Sequence, residues 1–119
     1  MTTCSLSLAE LPSGRKDVQN FRYHGYPQDR LISFPSFDAG LAELWAFGIW
    51  AEENRLVKEI PDHVTYVVVC KRSHLLDFWK RCYEGKSELW VSKEVAWQLL
   101  SKLEALNPRK LYALIAYEY

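Results

Sequence analysis

The sequence has few cysteines, and they are poorly placed for disulfides or metal ligation. Its 119 residues include three of them, at Cys4, Cys70 and Cys82. An odd number of cysteines gives no closed disulfide framework, and no C-x-x-C pair is present to hold a zinc ion or carry redox chemistry. We therefore expect all three to be reduced thiols that behave as small apolar side chains.

A surplus of one charge is also lacking. Lysine and arginine number 15, and aspartate and glutamate number 15, so the formal net charge is +0 at pH 7. A protein that coats nucleic acid needs excess cations to displace counterions from phosphates, so this balance disfavours that class. The charges are nevertheless uneven along the chain, because residues 38–59 are mainly acidic and residues 71–86 mainly basic.

No apolar run is long enough to span a bilayer. The most apolar stretch, residues 41–51, is interrupted by Glu43 and Gly48 and falls well short of the roughly 20 residues required. The first residues lack the basic and apolar regions of a signal peptide. We therefore expect a cytoplasmic protein that does not enter a membrane.

The spacings of known catalytic and metal sites are missing as well. The histidines, His24, His63 and His74, form no H-x-x-x-H or H-E-x-x-H pattern, and no glycine-rich phosphate loop or nucleophile elbow occurs. Asp77 and Arg81 share a predicted helix face with His74, but their i, i+4 spacing indicates a surface ion pair. We expect no enzymatic activity, no catalytic residue, no metal and no cofactor.

What the sequence does have is the composition and patterning of one globular domain over residues 1–119, since 49% of its residues are hydrophobic and 25% charged. Two unbroken apolar runs, residues 64–70 and 111–117, predict central strands. Short alternating segments, residues 18–23 among them, predict three strands in the first third. The predicted class is α+β: an αβ sandwich with a mixed sheet of about five strands and about three flanking helices.

The three helices are predicted at residues 38–55, 73–84 and 92–106, with Asp38, Ser73 and Ser92 as their N-caps. The second has the clearest amphipathic pattern. In the third, the inward-facing residues are predicted to be Val95, Leu99, Leu103 and Leu106.

Aromatic residues suggest where a partner could bind. The first helix is apolar nearly all round, and such a helix is either deeply buried or offers a second face to a partner. We predict that Glu43, Phe47, Trp50 and Glu53 form an aromatic patch with an acidic rim that binds a basic protein. Trp97, opposite the apolar stripe of the third helix, is predicted to be a further anchor.

A second candidate site lies where the strand at residues 64–70 meets the next helix. Lys71, Arg72 and Ser73 stand at a helix N-terminus, where free N–H groups attract anions, and the adjacent Cys70 and His74 could join in chemistry there. The alternative interpretation is a solvated capping turn with one structural thiol.

The leading hypothesis is a non-catalytic protein-binding module: a small cytosolic inhibitor of the immunity-protein or antitoxin type that blocks a toxic enzyme, for example a basic nuclease. One alternative is a small enzyme or anion-binding domain that uses the site from Cys70 to His74. A second is an RNA-binding domain that uses the basic residues 71–86 and exposed aromatics.

Overall fold

The computed structural model describes residues 3–10, 31–34, 37–38, 41–56, 58–62, 65–84 and 92–118. Six strands and three helices lie within these ranges. The strands are β1 (Thr3–Glu10), β2 (Ile32–Ser33), β3 (Phe37–Asp38), β4 (Lys58–Asp62), β5 (Thr65–Cys70) and β6 (Tyr112–Glu118). The helices are α1 (Leu41–Glu53), α2 (Arg72–Cys82) and α3 (Lys93–Glu104).

The described strands form one sheet in the order β2-β1-β6-β5-β4, and β3 also pairs with β1. β6 is hydrogen-bonded to β1 on one side and to β5 on the other, so that Leu114 lies opposite both Leu8 and Val68. The prediction of central strands in the two apolar runs is therefore confirmed. Their lack of alternation has a physical reason: successive residues such as Val67 and Val68 point to opposite faces, and both are fully buried.

The α+β class is confirmed, but the prediction of a mixed sheet is wrong, because every strand pair that the structure describes is antiparallel. The strand count also differs from the predicted five. Four strands, β1, β4, β5 and β6, form the body of the sheet, and β2 and β3 are two-residue strands paired with β1.

The antiparallel pairing of β5 and β6 fits the two helices that the structure describes between them. A single helix carries the chain to the far end of a sheet and leads into a parallel strand. Here two described helices, α2 and α3, lie between the strands, and β6 begins at the end of the sheet at which β5 finished. Cys70, the last residue of β5, therefore pairs with Tyr112, the first residue of β6.

The helices pack on one face of the sheet. The larger buried cluster joins strand residues of that face, such as Leu8 and Leu114, to residues of all three helices. A smaller cluster on the opposite face consists of alternate strand positions: Ala9, Val67, Ala113 and Ile115. The centre of the sheet is thus buried on both faces.

Much of the aromatic content lies in this core. The ring of Phe78 in α2 is the centre of a buried group, with its centroid 5.0 Å from that of Trp50 and 6.2 Å from those of Phe34 and Phe47. Tyr83 lies 6.3 Å away on the same measure. All four of these pairs meet edge to face, a geometry that aromatic quadrupoles favour.

The helix boundaries agree only partly with the predicted caps. Ser92 caps α3 as predicted, since its Oγ accepts a hydrogen bond from the Val95 N–H at 3.2 Å. Asp38 does not cap α1, because it belongs to β3. Ser73 lies inside α2, whose N-cap is Lys71. The Lys71 N–H donates to Nδ1 of His74 at 3.0 Å, so a side chain of the first turn caps the helix.

Some predictions lie outside the described residues, among them the strand at residues 18–23. Cys70 and Cys82 are reduced thiols that lie buried in the core, as expected. The side chain of Cys4 lies outside the described part of the structure.

Candidate interaction surface

Helix α3 presents the most exposed large apolar side chain of the described residues. Trp97 is 58% exposed, while Ala96, Leu99 and Leu103 turn into the core. The sequence pattern predicted this outward orientation of Trp97, and the structure confirms it. Val95, predicted to face inward, is 39% exposed.

Trp97 is held in place by a second tryptophan. Trp79 of α2 is buried, and its indole N–H donates to the backbone oxygen of Ala96 at 2.8 Å. The rings of Trp79 and Trp97 lie 5.6 Å apart between centroids, at an interplanar angle of 47°. The exposed indole therefore rests on a buried indole that is itself fixed by a hydrogen bond, which limits its freedom before any partner binds.

Charges flank this tryptophan along the outer side of α3. Lys93 lies one turn before Trp97, Leu100 lies one turn after it, and Glu104 follows a turn later. Lys93 and Glu104 are exposed, and Leu100 is half-buried. We call these four residues the Trp97 face. It has one charge of each sign at its ends and an apolar centre.

The anchors predicted in α1 are not at the surface. Phe47 is 3% exposed and Trp50 is fully buried, with the Trp50 indole N–H donating to the His74 backbone oxygen at 2.8 Å. Their assignment as partner-binding residues is therefore wrong. The apolar second side of α1 is covered by α2 of the same chain. Glu43 lies in α1, but its side chain is outside the described part of the structure.

Glu53, predicted to contact a basic partner, pairs with a cation of its own chain. Its carboxylate contacts a terminal nitrogen of Arg81, and the Arg81 Nε lies 2.8 Å from Asp77. The hydrogen bond that Arg81 donates to Glu53, followed by the charge of Asp77 and the hydrogen bond donated to it, raises the pKa of Arg81. Asn54 extends this network by donating to Asp77 at 2.9 Å. The i, i+4 pair of Asp77 and Arg81 was predictable, whereas Glu53 and Asn54 join it only through tertiary packing.

One residue of the strand-end site, Arg72, already makes hydrogen bonds within the chain. The Arg72 guanidinium donates through one nitrogen to the backbone oxygens of Glu104 and Leu106, at 3.2 and 3.4 Å. A cation at the carboxyl end of a helix complements its dipole, so Arg72 acts there as a clamp between α2 and α3. Lys71 and Ser73 are exposed at the start of α2. Anion binding by these two residues stays a prediction.

The thiol beside this site is poorly suited to nucleophilic chemistry. Cys70 is fully buried, and this burial raises its pKa from 9.0 to about 12. The thiolate is the nucleophilic form, and it is scarce at neutral pH when the pKa is this high.

Among the described residues, no three histidine, cysteine, aspartate or glutamate side chains come together to hold a metal ion. Within the described ranges, none of the helices has the length and apolar character that crossing a membrane requires. Comparisons with protein-family models, with curated proteins and with solved structures found no match to the chain.

Proposed function

We propose that the chain is a non-catalytic protein-binding module with Trp97 as its anchor, and that it acts in the cytoplasm as an inhibitor of the immunity-protein or antitoxin type. The observation that carries this proposal is an exposed indole held on a buried one. Tryptophan is among the residues that dominate protein interfaces, because it buries a large area at small entropic cost.

The available energy is enough for an anchor. A tryptophan side chain buries about 200 Å² when it is fully covered. Because Trp97 is 58% exposed, a partner could remove roughly 120 Å² from water, which corresponds to about 3 kcal/mol at about 25 cal/mol per Å². The contact with Trp79 restricts the Trp97 ring on one side, which reduces the side-chain entropy that is lost on binding.

The strand-end residues and the charges of the Trp97 face weigh against the two alternatives. Cys70 is buried with a raised pKa, and Arg72 is bound to backbone oxygens, so the enzyme hypothesis loses its nucleophile and its most specific cation. For RNA binding, the Trp97 face lacks a surplus of positive charge, since Glu104 offsets Lys93 and a phosphate backbone would be repelled by its carboxylate.

The contacts of Glu53 bear on the charge of the inhibited enzyme. A basic partner was predicted from an acidic rim, and Glu53 is now seen to be paired with Arg81. A nuclease or other basic enzyme therefore stays a prediction that the Trp97 face does not by itself favour.

The test is a binding measurement with the partner that co-purifies from the native cell, identified by mass spectrometry and then purified. We expect Trp97→Ala to raise the Kd at least about thirtyfold, chiefly through faster dissociation. Gln98→Ala, an exposed neighbour in the same helix, serves as the matched control and should change the Kd little. The chain should also inhibit the catalytic activity of that partner at equimolar concentration.

Equal affinity for the wild type and Trp97→Ala would remove Trp97 as the anchor. A partner whose activity is unaffected by the bound chain would contradict the inhibitor role.

A further inference from the structure

The Trp97 face has the spacing of a helix-pairing seam. Lys93, Trp97, Leu100 and Glu104 follow one another at intervals of four, three and four residues, which is the alternation found at the core positions of paired helices. The two central positions are apolar and the two end positions carry opposite charges. We propose that this face pairs with the same face of a second copy of the chain, with the two α3 helices antiparallel about a two-fold axis.

The charges fit this arrangement. When two identical helices run antiparallel about the middle of α3, Lys93 of each copy lies opposite Glu104 of the other, and Trp97 lies opposite Leu100. The two copies of Lys93 are then separated by about 16 Å along the helix axis, beyond the Debye length at physiological salt. In a parallel pair, by contrast, Lys93 would face Lys93 and Glu104 would face Glu104.

The helix dipole supplies a second argument. Lys93 is the first residue of α3 and Glu104 the last, so each has the charge that the dipole of its own helix disfavours. In the antiparallel pair, Lys93 lies beside the carboxyl end of the other helix and Glu104 beside its amino end. The dipole of the other helix therefore favours Glu104 at its amino end, whereas at its carboxyl end Arg72 of that copy already contacts the backbone oxygens, so the gain for Lys93 is smaller.

The association is expected to be weak. A helix of 12 residues is about 18 Å long, and one such helix pair buries less than the roughly 1,000 Å² of a stable interface. We therefore expect a reversible dimer that is populated only at high protein concentration. This inference goes beyond the proposed function, and its consequence is that a second copy and the inhibited enzyme compete for the same tryptophan.

Sedimentation equilibrium of the purified chain, from about 10 μM to about 1 mM, tests the proposal without any other protein. The wild type should show a monomer–dimer equilibrium, and Trp97→Ala should remain monomeric. Lys93→Glu and Glu104→Lys should each weaken dimerisation at least about tenfold. Each places the charge that the helix dipole favours, so a folding defect is not expected, and circular dichroism checks this.

The decisive variant carries both substitutions. Lys93→Glu with Glu104→Lys restores opposite charges across the antiparallel pair, so dimerisation should return to near the wild-type level. The two residues are too far apart along one helix to interact within a single copy. Lys102→Glu changes the net charge as Lys93→Glu does, but at an exposed position outside the Trp97 face, and should leave dimerisation unchanged.

A wild-type chain that stays monomeric at 1 mM would overturn the proposal. So would a double variant that stays as weak as the single ones, or a Lys102→Glu variant that is weakened equally. Because the measurement uses only this chain, failure here is distinguishable from failure of the inhibitor proposal.

Discussion

Replacing Trp50 by alanine should destabilise the protein far more than replacing Trp97, although both are tryptophans on helices. Trp50 is fully buried, contacts the rings of Phe47 and Phe78, and donates an indole hydrogen bond to His74. Truncating a buried tryptophan to alanine costs about 3–5 kcal/mol, and the lost hydrogen bond about 1 kcal/mol more. The expected total is about 4–6 kcal/mol.

This loss is large relative to the whole stability. At about 0.05–0.15 kcal/mol per residue, a chain of 119 residues has a free energy of unfolding of about 6–18 kcal/mol. Trp97→Ala removes a mainly exposed ring and its tilted contact with Trp79, for which we expect about 1 kcal/mol. The two substitutions should therefore differ by about 3–5 kcal/mol.

Urea unfolding followed by far-ultraviolet circular dichroism is the suitable assay, because tryptophan fluorescence would change with the substitutions themselves. Trp50→Phe keeps most of the ring but loses the hydrogen bond, so it should cost about 2 kcal/mol and lower the urea midpoint by about 1 M. This milder variant keeps the comparison measurable if Trp50→Ala does not fold. Trp97→Ala costing as much as Trp50→Ala would refute the assignment of Trp50 to the core.

Three further outcomes are expected. Burial first, and then the charge of Lys71, lower the pKa of His74 below its ordinary 6.5. Because the unfolded chain therefore takes up the proton more readily, the free energy of unfolding should fall as the pH drops below about 6.5. His74→Gln, compared with the wild type in urea unfolding across this range, should flatten that slope, and an unchanged slope would contradict the assignment. Arg72→Gln should cost about 1 kcal/mol in the same assay because the Glu104 backbone oxygen loses its cation, whereas Lys71→Gln should cost much less. Iodoacetamide at pH 8 should leave Cys70 unlabelled in the folded protein and label it in urea, as read by peptide mass spectrometry; rapid labelling of the folded form would show that its thiol is not buried.

Patterns within single elements were sufficient to predict much of the fold. In the β-branched run at residues 65–70, Val67 and Val68 point to opposite faces and both are fully buried, as the lack of alternation predicts. In α2 the apolar residues recur at helical spacing, and the predicted inner residues Leu75, Phe78 and Trp79 are all buried. Sequence patterns did not reveal that β5 and β6 are antiparallel, because their relative direction depends on the path of the chain through α2 and α3.

The candidate site was predictable only where one side of a helix differs from the other. Trp97 lies opposite a clear stripe in α3, so its outward orientation followed from periodicity. The stripe differs from the prediction at one position, where Ala96 is buried in place of Val95 and its backbone oxygen accepts a hydrogen bond from the indole of Trp79. Helix α1 has apolar residues all round, so periodicity could not show whether its second side meets α2 or another protein.

The position of β6 has a consequence for biosynthesis. Of the described strands it is the last to leave the ribosome, yet it lies between β1 and β5 and pairs with residues more than a hundred positions earlier, as Cys4 pairs with Glu118. Until β6 emerges, no strand joins β1 to β5, and the apolar residues of these two strands cannot be buried in a complete sheet. Contacts of such long range slow folding, and a nascent chain with unpaired strand edges is prone to aggregation. Helices α2 and α3 can form early from local contacts. The nascent protein is therefore expected to contain both helices before β1 and β6 can pair.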